Sequence, residues 1–189
     1  EARFIKEVMG LYLIAFFVMY AMLAVAFRSY WQPVLIMVAM PFAYVGAIYG
    51  HVLLDMTMAI FSYFGIAAAA GVVVNDNLVL IDYTNRLRER GMQPIEAIIE
   101  AGVIRFRPIM LTSATTIVGL TPMMMERSIQ AKFLIPIVVS LVSGVFLAFF
   151  VTLLLVPALY AIGVDVSAWR ARLQPLVHVR KFLTIRGST

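Results

Sequence analysis

Met58-Ala-Ile-Phe-Ser-Tyr-Phe-Gly-Ile-Ala-Ala-Ala-Ala-Gly-Val-Val-Val-Asn-Asp-Asn-Leu-Val-Leu-Ile81 is long enough to cross a bilayer as one helix, yet it carries a carboxylate, Asp76, flanked by Asn75 and Asn77. A spanning helix needs about 20 predominantly apolar residues. An ionised side chain at the centre of such a helix costs about 2.5–3.5 kcal/mol on insertion scales. Chains rarely keep such a group without a use, and the usual uses are proton or ion handling. Asp76 is therefore the residue around which the function is to be sought.

Four further runs read the same way: Val8–Phe27, Pro33–Leu54, Pro108–Met125 and Phe133–Ile162. The last is long enough to tilt or to project beyond the bilayer. Backbone groups in lipid must be satisfied internally, which makes these runs helices. A β-barrel would need alternating segments of about ten residues, and the chain has none. The fold class expected is all-α, a polytopic bundle of five spanning helices over residues 1–162, followed by a basic tail, 163–189.

Composition agrees. The 189 residues are 63% hydrophobic and 13% charged, with a mean hydropathy of +0.97. A soluble domain of that size could not cover so much apolar surface. The absence of cysteine rules out disulfides and thiolate metal sites. The net charge of +5 does not argue for nucleic acid, because the basic residues are spread around the spans rather than gathered in a groove. No cofactor, metal or enzymatic constellation is expected. The chain begins at Glu1 without a signal-peptide pattern, and Lys6 leads directly into a span. We therefore expect the C-terminal piece of a larger protein.

The connections fix an expected orientation. Arg28–Gln32, His51–Thr57 and Glu126–Lys132 read as short turns, and Asp82–Arg107 reads as a charged loop with a short helix over Pro94–Ala101, Pro94 in its first turn. Eleven of the 15 Lys and Arg residues fall on the side of Arg28, the 82–107 loop and the tail, namely Arg28, Arg86, Arg88, Arg90, Arg105, Arg107, Arg170, Arg172, Arg180, Lys181 and Arg186. Arg3, Lys6, Arg127 and Lys132 fall on the other. The positive-inside rule then places the large loop and the C-terminus in the cytoplasm.

Within the third span, Gly65, Ala69, Val72 and Asp76 share one helical face. The small residues would let another helix approach closely, with Asp76 pointing into the bundle. Asp76 precedes Asp82 by six residues, or about 9 Å of helix, and Thr112 lies four residues past Pro108, or about 6 Å. The two reach similar depth. Apolar surroundings favour the neutral form of a carboxyl, and hydroxyl or amide neighbours favour the charged form when water enters. Switching between those forms is what proton coupling requires. The blander readings are that Asp76 is a structural contact between helices, and that Thr112, Ser113, Thr115 and Thr116 bond their own backbone. Asp82 and Arg86 at i, i+4 read as a surface ion pair. His51 with Asp55 is a weak metal pair, better read as capping. Trp169, Arg170, Arg172, Leu173 and Leu176 could form a short interfacial helix.

Phe27-Arg-Ser-Tyr-Trp-Gln-Pro33, Gly71-Val-Val-Val-Asn-Asp-Asn-Leu-Val-Leu80, Arg105-Phe-Arg-Pro-Ile-Met-Leu-Thr-Ser113 and Val156-Pro157 resemble the resistance–nodulation–division (RND) efflux transporter family in order and spacing, across residues 1–162. The resemblance implies the second half of a duplicated twelve-helix transporter, its spans being helices eight to twelve. It further implies a homotrimer in the bacterial inner membrane, driven by proton influx. The expected partners are the N-terminal half of the same transporter, a periplasmic adaptor, an outer-membrane channel and the lipid bilayer. Multidrug members carry a lysine on the tenth helix that pairs with two aspartates of the fourth, and the matching position here is Asn75. Asp76 follows where those members tend to have asparagine, so this half resembles the acidic motif of the family's first half, as a duplicated transporter allows. Thr112 matches a threonine of the proton relay, and Arg105 an arginine near the cytoplasmic end of that path. The expected relay is Asp76 with Asn75, Asn77, Thr112 and Arg105, in a branch where Asp76 replaces the lysine-centred network. Two other readings stand beside the exporter: a passive channel in which Asp76 lines a water-filled route, and a non-transporting sensor or assembly module.

Overall fold

The computed structural model describes residues 2–126 and 128–186, the side chains of 2, 4, 5 and 168–186 excepted. Six helices follow one another: α1 (Ala2–Phe27), α2 (Trp31–Met37), α3 (Met40–Leu53), α4 (Ile60–Glu89), α5 (Pro94–Met124) and α6 (Ile129–Arg186). With α2 and α3 taken as one broken span, five helical segments are long and apolar enough to cross a membrane. No strand occurs among the described residues. The all-α bundle of five spans is as the sequence leads one to expect. Arg127, and the side chains of Trp169, Arg170, Arg172, Leu173, Leu176, Arg180, Lys181 and Arg186, lie outside the described residues.

Small residues hold the bundle together where backbones nearly touch. A Cβ placed on Gly65 of α4 would collide with the Ile137 carbonyl of α6, and one on Gly144 would lie 3.0 Å from the Ala69 Cβ and 2.9 Å from the Ala43 carbonyl. On α3, a Cβ at Gly46 would come 2.6 Å from the Ser143 carbonyl. Helices α3, α4 and α6 thus share one seam of Gly and Ala, the arrangement that lets dispersion act between backbones where lipid offers no hydrophobic drive. Gly65 meets Ser140 and Ala69 meets Gly144, so α4 and α6 run parallel at a constant offset of 75 residues. The Arg88 side chain, 3.3 Å from the Tyr160 hydroxyl, keeps a similar register to the far end. On the shared face of α4, Val73 rather than Val72 is the buried valine.

Two readings of the connections are corrected. The 82–107 segment is not a loop: α4 continues to Glu89, and α5 runs unbroken from Pro94 through Pro108. Charge was the misleading signal, since a helix leaving the bilayer keeps winding in water with polar side chains on it. The actual stop is local. Gly91, at φ +93°, donates its N–H to the Arg88 carbonyl at 2.9 Å, and Met92 donates to Leu87 at 3.2 Å, the paired bonds of a Schellman cap. The ion pair read there does form, with Arg86 Nε 2.9 Å from Asp82.

The second span is broken. Pro41 has no N–H for the Met37 carbonyl, and its ring crowds that position. Helix α2 ends at Met37, α3 begins at Met40, and the Leu35, Ile36 and Met37 carbonyls lose the N–H partners that a continuous helix would supply. At the opposite end of the bundle, His51 is 1% exposed. Its Nδ1 lies 2.9 Å from the Ala47 carbonyl, and its Nε2 lies 2.9 Å from the Ser62 hydroxyl, which accepts the Ala59 N–H at 3.1 Å. A carbonyl only accepts, so Nδ1 donates and Nε2 receives the Ser62 proton in the neutral ring. His51 thereby joins α3 to α4 and turns away from Asp55, which is exposed.

Replacing Gly65 with Ala in the full-length protein should lower its thermal unfolding midpoint in detergent, at a cost of about 1–3 kcal/mol for overpacking. An unchanged midpoint would contradict so close an approach of α4 and α6.

Candidate functional site

The buried apolar residues fall into two clusters, with polar residues in a layer close to where they meet. One cluster, toward the Arg28 end, includes Leu35, Ile36, Met37, Val74, Leu80, Ile81, Val156 and Tyr160. The other, deeper in the bundle, is made of Ala39, Ala43, Ala69, Val73, Val145 and Ala148. Each of the three central strands of packing changes character between them. In α6 the change falls at Thr152 and in the second span at the α2–α3 break, while in α4 it falls between Val73 and Val74, just before Asp76 and Asn77.

Asn77 is fully buried, and its Nδ2 donates to the Ile36 carbonyl at 2.9 Å. That carbonyl is one of those released by the break, so the amide does the work of a missing helical N–H. A bare carbonyl in an apolar interior costs about 1–3 kcal/mol, which is why a discontinuous span needs a polar side chain beside it. The Oδ1 of the same amide is buried with no hydrogen-bond partner among the described residues.

Asp76 is 9% exposed and makes no hydrogen bond or ion pair among the described residues. Most buried carboxylates are paired. This one is buried with no cation paired to it among the described residues.

The remaining residues of the expected relay lie elsewhere. Asn75 is exposed, one helical step round from Asp76. Arg105 stacks its guanidinium over the Tyr83 ring at 4.8 Å, a cation–π contact, and its Nε is buried without a hydrogen bond. That stacking makes α4 and α5 antiparallel neighbours. Counting seven residues back from Tyr83 and seven on from Arg105 brings Asp76 level with Thr112, the depth read from the sequence. The side chain nevertheless points away. Thr112 is exposed and donates to its own Pro108 carbonyl at 3.0 Å. Thr115 and Thr116 are likewise tied to carbonyls of α5. The inward hydroxyl of that turn is Ser113, buried and without a hydrogen bond among the described residues.

The structure therefore brings together Asp76, Asn77 and the α2–α3 break, and leaves Asn75, Thr112 and Arg105 outside the layer. Sequence reasoning missed two things. The break was signalled by Pro41 within an otherwise continuous apolar run. Thr152 had no local signal, since a lone threonine in α6 becomes informative only when the packing register is known.

The AcrB/AcrD/AcrF family model matches residues 1–163. The chain belongs to this family of RND efflux transporters. Among solved structures it is similar to a heavy metal efflux pump in two crystal forms. To form II the identity is 26% and the TM-score 0.76, over 86% of this chain and 16% of that one. To form I the identity is 30% and the TM-score 0.67, over 78% of this chain and 14% of that one. The chain thus spans about a sixth of the RND proteins it resembles, and the family match ends where the basic tail begins.

Asn77→Ala should lower the thermal stability of the full-length RND protein by about 1–3 kcal/mol, because it strips the Ile36 carbonyl of its donor. Thermal unfolding in detergent reads this directly. A melting point equal to wild type would show that the break is satisfied in another way.

Proposed function

We propose that this chain is the second-half membrane domain of a proton-driven RND exporter, a transporter rather than an enzyme. In this reading it sits in the bacterial inner membrane with the C-terminus in the cytoplasm. The N-terminal half of the same protein covers the outward faces of α4 and α5, where Asn75 and Thr112 stand. The complete protein is a homotrimer working with a periplasmic adaptor and an outer-membrane channel. Family membership supports export, and the excess of Arg near the Arg28 end supports the orientation. The observation that carries proton coupling is Asp76, buried with no hydrogen-bond or ion-pair partner among the described residues, close to the junction of two apolar clusters.

The chemistry is a protonation switch. Neutral Asp76 fits a closed, dry layer, and ionised Asp76 draws water or polar neighbours into it. Each proton taken from one side and released to the other then biases the packing of α4 against α6 and the broken span. Two arrangements that differ by a few kcal/mol can be interchanged by a single carboxyl. Asn77 holds the break while this happens. Because the two solved structures named above are of a heavy metal efflux pump, a heavy-metal cation is the cargo to try first, with a dye cation beside it.

Asp76→Asn in the full-length protein, at matched membrane levels, should reduce uncoupler-sensitive efflux of Zn2+ or ethidium from cells at least about tenfold, the loss of a residue essential to the cycle. Insertion should be intact, since the amide is smaller in desolvation cost than the carboxylate. Efflux at the wild-type rate would move coupling to the other half of the transporter and reduce Asp76 to a packing residue. Efflux that ignores the proton gradient in the wild type would favour a passive route.

A further inference from the structure

Asp76 makes no hydrogen bond or ion pair among the described residues, and the packing register shows which α6 residues stand level with it. The constant offset between α4 and α6, set by Gly65 against Ser140 and Ala69 against Gly144, brings Asp76 level with Val151 and Thr152. Of these, Thr152 is on the buried face, in the stripe Val145, Ala148, Thr152, Val156. It is 1% exposed.

Its hydroxyl is unlike most others in the spans. Thr84, Thr112, Thr115, Thr116, Thr121 and Ser143 each donate to a carbonyl of their own helix, the usual habit of hydroxyls in membrane helices. Thr152 makes no hydrogen bond among the described residues. It is also absent from the buried polar atoms that are wholly sealed without a partner, so the little exposure it keeps is at Oγ1. A hydroxyl with no hydrogen bond among the described residues thus sits at the level of a carboxyl in the same condition on the opposed helix.

We propose that Thr152 is a positioning residue for Asp76, its hydroxyl donating to the ionised carboxylate and accepting from the neutral acid. A hydroxyl carries both a donor and acceptor lone pairs, so one residue serves both states without moving the backbone. The inference rests on the reading of Asp76 as the protonating group. Other titratable side chains on the neighbouring helices are engaged or turned away. Tyr160 on α6 meets Arg88, Arg105 on α5 stacks on Tyr83, and His51 on α3 is held by Ala47 and Ser62. Arg107 on α5 and Tyr44 and Tyr49 on α3 are exposed.

The test needs no knowledge of the cargo. Infrared difference spectra of the purified full-length protein, recorded as a pH titration, show the C=O stretch of a protonated carboxyl, and Asp76→Asn identifies the band that belongs to Asp76. Thr152→Val keeps the shape and removes the hydroxyl, and Thr152→Ser restores a hydroxyl. The expected result is that Val changes the frequency of the Asp76 band and displaces its midpoint by about half a pH unit or more, on the order of a threefold change in proton affinity, while Ser stays close to wild type. A merely structural role would move the melting point and leave the band in place. An unchanged band in Thr152→Val overturns the proposal, as does a displaced band in Ser113→Ala with none in Thr152→Val, which would put the partner on α5. If Asp76→Asn removes no band at all, the reading of Asp76 itself fails, and that outcome is distinct from the other two.

Discussion

Close backbone approach between α4 and α6 is the constraint on which the rest depends. Gly65 faces the Ile137 carbonyl with no room for a methyl group, and Gly144 sits against Ala43 and Ala69. In lipid, where apolar side chains gain nothing by leaving the solvent, such contacts provide much of the attraction between helices. They also remove freedom. Once two backbones touch at two points a turn apart, the axial offset is set along their whole shared length. The level of Asp76 against α6 follows from glycines three turns away, with no contribution from the carboxyl itself.

The second constraint is backbone satisfaction. Pro41 interrupts a span that would otherwise be continuous, and the freed carbonyls need donors that lipid cannot give. Asn77 supplies one of them to Ile36. The neighbouring Asp76 has no hydrogen bond or ion pair among the described residues. Two adjacent polar residues on one helix thus have separate tasks. The amide turns toward the broken span and supplies one of its hydrogen bonds, while the carboxyl lies on the helical face of Gly65 and Ala69, the face that meets α6. Their side-by-side position in the sequence, which makes Asn75-Asp76-Asn77 look like one motif, conceals that the three side chains point in three directions.

Much of the fold was legible in the sequence. Apolar run length alone yields five spans, and the small-residue face through Gly65 and Ala69 shows which side of α4 another helix would meet. The depth of Asp76 and Thr112 was also legible, because the helical rise is uniform. Direction was not. Whether Thr112 or Ser113 faces inward depends on how α5 is rotated about its axis, which is decided by contacts distant in sequence. Thr152 was beyond reach for the same reason, since its relation to Asp76 exists only through the α4–α6 register. The charged 82–107 segment was misread because charge reports the absence of lipid, not the absence of helix, while the Gly91 stop and Pro94 start, both visible in the sequence, mark the true turn.

The proposed coupling requires that Asp76, a buried carboxyl, take up and lose a proton in place. An apolar carbodiimide partitions into the bilayer and reacts with carboxyls that are protonated there, so labelling of the full-length protein in its membrane, followed by mass analysis of the peptide carrying Asp76, reads that state directly. Labelling at Asp76 is predicted to fall away as the pH is raised, with the ion-paired Asp82 and the exposed Asp55 unlabelled throughout. Failure of Asp76 to label at any pH in the folded protein, or labelling that does not change with pH, would contradict it.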